Sequence, residues 1–373
     1  MQSSVISVAA PMEKTQTVDL AKRYNENPLL KPADVKPSEE GMIVECLLNP
    51  GVFRFEKKIW LLVRVAERPK QKTGFVSLPI RDDSGELEIL HFDKKDPGLD
   101  FTDPRVVRHN GKEYLTTLSH LRLLCSDDGK EFVEPGGYAP ILGKGRLESY
   151  GIEDCRVTEI NRVYYLTYTM VSPFGVGVGL IQTRDWKHYD RCGMIFPPHN
   201  KDCAIFESKI KDRYYALHRP SSPELGGNYI WLASSPDLIH WGHHTCLATT
   251  RKGMWDSARV GGGCSPIRTA KGWLCIYHGA DENNRYCLGG LLLDLENPSV
   301  VVGRSNVPIM EPREDYELSG FFGNVVFTNG HLVNGDVVKL YYGSSDEVIC
   351  GAELSIREIF DSFSTNPEGE TVL

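Results

Sequence analysis

An aromatic-rich, strand-like segment recurs along this chain, and that recurrence restricts the fold more than any other feature. The copies are Ile59-Trp-Leu-Leu-Val-Arg64, Glu113-Tyr-Leu-Thr-Thr-Leu-Ser119, Tyr164-Tyr-Leu-Thr-Tyr-Thr169, Tyr214-Tyr-Ala-Leu-His-Arg219, Trp273-Leu-Cys-Ile-Tyr-His278 and Lys339-Leu-Tyr-Tyr-Gly343. They are spaced by about fifty to sixty-five residues, near the periods of solenoid and propeller repeats. A short polar-then-apolar segment and a turn precede each copy, as in Asp154-Cys-Arg-Val-Thr with Asn161-Arg162, which is the pattern of a hairpin. Several copies are followed by a further strand and an aromatic turn, such as Leu180-Ile-Gln-Thr-Arg-Asp-Trp186 and Leu232-Ala-Ser-Ser-Pro-Asp-Leu-Ile-His-Trp241. One repeat therefore reads as a four-stranded antiparallel sheet, and such sheets repeated about an axis make a propeller. The starts at Asn49 and Asp103 read as halves of one enlarged unit. The expected fold is all-β, a five-bladed β-propeller with a central active-site channel. Six blades is the alternative, and a β-sandwich fits less well because its strands recur at shorter intervals.

Helical signal is confined to Thr17–Tyr24 and Ser355–Phe363, so residues 41–373 are expected to form one domain behind an N-terminal arm at 1–40. The arm is a candidate contact for a homo-oligomer. A net charge of -8 opposes binding to a nucleic acid. The apolar stretch from Val5 to Pro11 has no basic residue ahead of it, as a secretory signal would. No apolar run approaches the roughly 20 residues that cross a bilayer. The ten cysteines are scattered, without a CxxC pair. Reduced, structural thiols in a soluble cytoplasmic protein are the expectation.

Polar residues at repeat starts can converge on a propeller axis although far apart in sequence. Those here include Asn49, Arg64, Asp103, Arg105, Asp154, Arg156, Lys201, Asp202, Arg219, Arg259, His278 and Asp346. Charges on apolar strands are costly to bury unless paired or used. Each also has a plainer reading. Asp103 and Asp154 could bond their own turns, Lys201 and Asp202 could be a solvated pair, and His278 could be a core histidine. Gly261-Gly-Gly263 resembles a phosphate-cradling loop but lacks the lysine and helix of a P-loop, and a tight turn explains it equally well. No GxSxG or HExxH motif is present, and no metal site is expected.

The ordered blocks Asn49-Pro-Gly with Leu61-Leu-Val-Arg64, Gly151-Ile-Glu-Asp-Cys-Arg156, His199-Asn-Lys-Asp202, Leu217-His-Arg-Pro220, Trp255-Asp-Ser-Ala-Arg-Val-Gly261, Ile276-Tyr-His-Gly279 and Tyr341-Tyr-Gly with Asp346 resemble glycoside hydrolase family 130. That family comprises the mannoside phosphorylases and their β-1,2-mannosidase relatives. The resemblance implies a five-bladed propeller with Asp154 as general acid, its proton reaching the leaving oxygen through a hydroxyl of the bound mannose. Cys155 stands where the family has proline. The resemblance further implies that Asn49, Arg64 and Asp346 hold the mannose. Arg105, His120 and Asp202 are further sugar-binding candidates. Lys201, Arg219, Arg259 and His278, with the Tyr286 hydroxyl, match the family's phosphate site. Ser119-His-Leu-Arg122 and the long insertion after Arg64 resemble members acting on β-1,2-linked mannosides.

An inverting hydrolase needs a second carboxylate roughly 6.5 to 9.5 Å from the acid. A phosphorylase instead needs cations for an anion that is already nucleophilic, and arginine forks suit phosphate. The expected activity is inverting phosphorolysis of β-mannosides, with inorganic phosphate as co-substrate and no cofactor. The product would be α-mannose 1-phosphate. The alternatives are a β-1,2-mannosidase using Glu207 or Glu224 as base, and a non-catalytic glycan-binding propeller.

Overall fold

The computed structural model describes residues 19–221 and 225–363, so the stretch from Val5 to Pro11 lies outside the described residues. Among the described residues, five larger antiparallel sheets follow in chain order, and two small ones, Phe75–Arg81 with Leu87–Asp93 and Val106–His109 between Leu99–Asp100 and Lys112–Leu115, are inserted within the first. Sheet I comprises Met42–Phe55, Lys58–Pro69 and Leu118–Ser126. Sheet II comprises Ile152–Ile160, Val163–Ser172, Gly175–Thr183 and Asp190–Phe196. Sheet III runs from Asn200–Ile205 through Tyr214–Pro220 and Ile230–Ser235 to Gly242–Ala248. Sheet IV has Arg259–Gly262 and Ile267–Thr269 beside Gly272–Ala280, then Tyr286–Leu293 and Val301–Arg304. Sheet V has Val326–Asn334, Val337–Ser344 and Val348–Ser355, with Lys22–Arg23 as its outer strand.

Local chemistry sets the hairpins. The turn residues Glu56-Lys57, Asn161-Arg162 and Lys211-Asp212 all have positive φ, the geometry of the tight turn whose twist matches the strands it joins. Side-chain alternation then feeds two cores from one strand. Tyr164, Leu166 and Tyr168 pack with Phe53 and Trp60 of sheet I, whereas Tyr165 packs with Ile205 and Ala216 of sheet III. Phe206, Leu217 and Trp273 fill the space between sheets III and IV, Leu274, Ile276, Val338 and Leu340 that between IV and V, and Leu47, Leu61, Tyr341 and Ile349 that between V and I.

Asn49 and Asp103 fall in one enlarged unit. The segment Glu113–Ser119, read as one strand, is divided: Lys112–Leu115 belongs to a small sheet inserted before Leu118–Ser126. Asp103 lies in that insertion and accepts a hydrogen bond from the Arg105 N–H at 2.8 Å, the plain turn role. The helical reading of Thr17–Tyr24 fails over its described part. Lys22–Arg23 is a strand against Val348–Ser355, held there by Arg23 Nε donating to Glu317 at 2.7 Å. The other helix is present as Ile356–Asp361, capped by the Ser355 hydroxyl, which accepts from the Glu358 N–H. Residues 19–40 pack against sheets V and I, burying Leu30 and Val35.

Trp186 is fully buried and stacks on Phe53 with ring centroids 3.8 Å apart, joining sheets II and I. Trp186→Ala is expected to cost about 3–5 kcal/mol of stability, read from the midpoint of urea unfolding.

Candidate active site

Four first strands carry a register shift: between Leu48 and Gly51, Glu153 and Arg156, Lys201 and Ala204, and Thr328 and Gly330. An extra residue in one strand breaks the alternation and re-aims a side chain. The residues so released are Asn49, Asp154, Asp202 and Asn329, and the first three take left-handed φ values of 39°, 47° and 54°. All four are buried, and hydrogen bonds and ion pairs connect them.

Asp154 Oδ1 accepts from Asn49 Nδ2 at 3.0 Å and from Arg64 Nη1 at 3.1 Å, and Lys201 Nζ stands 4.0 Å from Oδ2. Burial alone would raise this carboxyl, but Arg64, Lys201 and Arg156 outweigh it and bring its pKa down to about 2. Arg64 also donates to Glu153 at 2.8 Å and to the Ser119 hydroxyl at 3.0 Å. Burial opposes its charge, yet Glu153 and Asp154 hold the guanidinium more firmly protonated than usual. Asp346 feels Arg64, Asp154, Arg105 and Lys201, so it shares this space. Burial, with the negative charge of Asp154, pushes its carboxyl up to about 6 against the opposing pull of Arg64.

The basic residues assemble on sheets III and IV. Lys201 and Arg219 face each other across the strand pair. Arg219 Nε stands 3.1 Å from Asp202 Oδ2, and Arg219 Nη1 is 3.4 Å from His278 Nε2. Arg259 donates to the Tyr286 hydroxyl at 2.8 Å and to Asn284 at 2.9 Å. The structure thus brings together Asn49, Arg64, Asp154, Lys201, Arg219, Arg259, His278, Tyr286 and Asp346, which nothing in their sequence separation requires.

Four expectations need correction. The Asp202 side chain is 0% exposed and lies behind its cations, with Arg156 Nη2 and Arg219 Nε each at 3.1 Å, so it neutralises the basic cluster and does not face a sugar. His120 points to the opposite face of its strand from Ser119, toward Glu67, whose carboxylate is 4.0 Å away, because neighbouring strand residues alternate. His278 is fully buried, and burial holds its pKa down to about 4, so it serves this site as a neutral ring and adds no cation. Glu207 is exposed and lies past the far end of Asn200–Ile205, on the order of 15 Å of strand from Asp202. Glu224 lies outside the described residues.

Arg105 is half exposed, stacked over Phe322 and paired with Asp103, at the edge of the group near Asp346. Gly261 is neither loop nor turn. It sits in Arg259–Gly262, where a Cβ would stand 2.4 Å from Asp202 and 2.5 Å from His278. Sequence reasoning left Ser119 and Asn329 without a role. Asn329 donates through Nδ2 to the Asn49 carbonyl at 3.1 Å.

Comparison with known proteins matches residues 139–365 to the glycoside hydrolase family 130 model, described as β-1,4-mannooligosaccharide phosphorylase. The chain belongs to glycoside hydrolase family 130. Among family 130 relatives, the β-1,2-mannobiose phosphorylase of Listeria innocua serovar 6a is 45% identical over 345 residues, 90% of this chain and 96% of that protein. A 1,2-β-oligomannan phosphorylase from a Thermoanaerobacter species is 37% identical over 66% of this chain and 82% of its own length. The solved structure of the Listeria enzyme with β-1,2-mannobiose superposes with a TM-score of 0.88 at 44% identity, covering 92% of this chain and 98% of that one.

The Asp346 environment generates a stability prediction for this family 130 member. Its folded pKa near 6 exceeds the ordinary aspartate value of 3.8, so the folded state binds this proton more tightly and stability falls as pH rises between those values. Asp346→Asn should therefore stabilise the protein by about 1–3 kcal/mol at pH 7, and by much less at pH 3.5, in denaturant titrations.

Proposed function

We propose that this protein is an inverting phosphorylase of β-1,2-mannosides that converts β-1,2-mannobiose or short oligomers and inorganic phosphate into α-mannose 1-phosphate and a shortened sugar. The observation that carries this reading is Lys201 beside a buried, charge-held Asp154, with Arg219 facing Lys201 across the strand pair and Arg259 bonded to Tyr286 on the neighbouring sheet. The Listeria relative, matched over nearly its full length, acts on β-1,2-mannobiose. The five sheets are the blades of a five-bladed propeller with the site at its axis. Supporting this, each sheet packs against the next, and the first strand of sheet V lies against the first strand of sheet I. The ten free thiols, eight of them buried, fit a cytoplasmic protein.

In this mechanism Asn49, Arg64 and Asp346 hold the mannose. Asn49 Oδ1 is buried without a protein partner, an acceptor that a sugar hydroxyl can satisfy. Phosphate lies over Lys201, Arg219 and Arg259 with the Tyr286 hydroxyl, and one of its oxygens attacks C1 as the bond to the leaving sugar breaks on the other face. Asp154 supplies the proton that the departing glycosidic oxygen needs, through a mannose hydroxyl as the family resemblance implies.

A general acid must hold a proton when its bond breaks, yet the cations keep Asp154 ionised in the free site. Phosphate provides the resolution. An anion on Lys201 offsets one of the charges that depress Asp154, so the acid gains affinity for a proton when the nucleophile arrives.

Purified protein incubated with β-1,2-mannobiose should release mannose 1-phosphate only when phosphate is present; equal release of free mannose without phosphate would make it a hydrolase. Asp154→Asn should lower kcat by about 10²–10⁴-fold. Arg219→Ala should raise KM for phosphate about tenfold to a hundredfold, as expected for a lost charge-assisted hydrogen bond.

A further inference from the structure

The hydrogen bonds that end on Asp154 start in sheet V. Asn329 occupies the register shift of Val326–Asn334 and is 2% exposed. Its Nδ2 donates to the Asn49 carbonyl at 3.1 Å, and Asn49 Nδ2 donates to Asp154 Oδ1 at 3.0 Å. Asn49 has left-handed φ, precedes a proline and is skipped by the pairing between Leu48 and Gly51, so the ladder of sheet I does not hold it. Sheet V does so instead. Gly343 closes on it from the second strand of that sheet: a Cβ there would stand 2.3 Å from Asn49 Oδ1 and 3.0 Å from its backbone nitrogen. The Asn49 carboxamide thus sits between a donor on its backbone and a glycine against its oxygen.

We infer that Asn329 and Gly343 are positioning residues for Asp154, acting through Asn49. Asn329 fixes the backbone from which the Asn49 carboxamide reaches the acid, and the missing Cβ of Gly343 leaves the room that its oxygen occupies. With Nδ2 toward Asp154 the amide donates to the carboxylate; turned over, its oxygen would oppose a carboxylate oxygen, with no proton between two acceptors. The direction of this donor selects the orientation of the carboxyl group, and with it the path along which the proton leaves. Asn329 touches neither sugar nor phosphate in this role. The inference rests on the assignment of Asp154 as the acid.

Asn329→Ala removes the donor, Asn329→Ser keeps a shorter one, and Gly343→Ala displaces the carboxamide from the other side. In the full-length protein, Asn329→Ala and Gly343→Ala are each expected to lower kcat by about tenfold to a hundredfold, with KM for phosphate changed by less than about twofold. Asn329→Ser should recover part of the loss. Carbon-detected NMR titration of the Asp154 carboxyl in the free protein should show its pKa raised in both variants, because a carboxylate that loses a donor binds its proton more tightly. A fold defect alone would lower the active fraction and leave that titration in place. The inference is overturned if Asp154 titrates as in wild type in the folded variants, or if phosphate KM rises in step with the loss of kcat. The NMR readout uses no substrate, so it judges this coupling separately from the reaction. Absence of mannose 1-phosphate from the wild-type protein would count against the phosphorylase reading alone.

Discussion

One buried guanidinium holds the polar centre together. Arg156 donates to the Asp154 carbonyl at 3.0 Å, to Asp202 Oδ1 at 3.1 Å and to the carbonyls of Gly262 and Gly263 at 2.9 Å each. Sheets II, III and IV therefore meet on one side chain that is 1% exposed. Removing an arginine from water is expensive, and only a full set of acceptors in good geometry offsets the cost. Two of those acceptors, the Asp154 carbonyl and the Asp202 carboxylate, stand at register irregularities and the other two at the end of Arg259–Gly262, so the bulges and the ion pair need each other. Asp202 completes the arrangement: held well below the usual carboxylate range by Arg219, the hydrogen-bonding ring of His278 and Arg156 despite its burial, it lets positive groups gather where the proposed mechanism receives an anion.

The electrostatics divide two nearby carboxyls. Asp154 lies among three cations and is pushed down, whereas Asp346 is dominated by burial and by the charge of Asp154 and is pushed up. Environments that separate two such groups assign them different work. Near neutral pH a single proton added to this pair goes to Asp346 first, and redistributing it toward Asp154 requires a new negative charge near Lys201. In the proposed mechanism the phosphate nucleophile is such a charge, which couples its arrival to the protonation of Asp154.

The all-β character was largely legible because aromatic-rich strand segments recur along the chain, and hairpin turns such as Asn161-Arg162 announce themselves by residue type. The site was legible to the extent that charges on apolar strands demand partners, as with Arg64 and Arg219. What escaped depended on register. Ser119 and His120 are adjacent, and only strand pairing shows which of them meets Arg64. Asp202 reads like a ligand group until its burial behind Arg219 is known. Asn329, between Thr328 and Gly330, reads as an ordinary turn residue, since a bulge leaves no periodic signal. Glu207 is near Asp202 in sequence, yet a strand carries it to the other end of the sheet.

The outer strand of sheet V has a consequence for how the molecule is made. Lys22–Arg23 is added to strands that close the sequence, and Asn27 donates to the Gly351 carbonyl across 324 positions. A ribosome releases these partners at widely separated times. Sheets II, III and IV can form from consecutive segments as they emerge, but sheet V and the cores it shares with sheets IV and I must wait for residues near 350. Contacts of such long sequence separation are slow to establish. Asn49 receives its support from Asn329 and Gly343 in that same sheet, so in the proposed arrangement Asp154 acquires its orientation only once sheet V has formed.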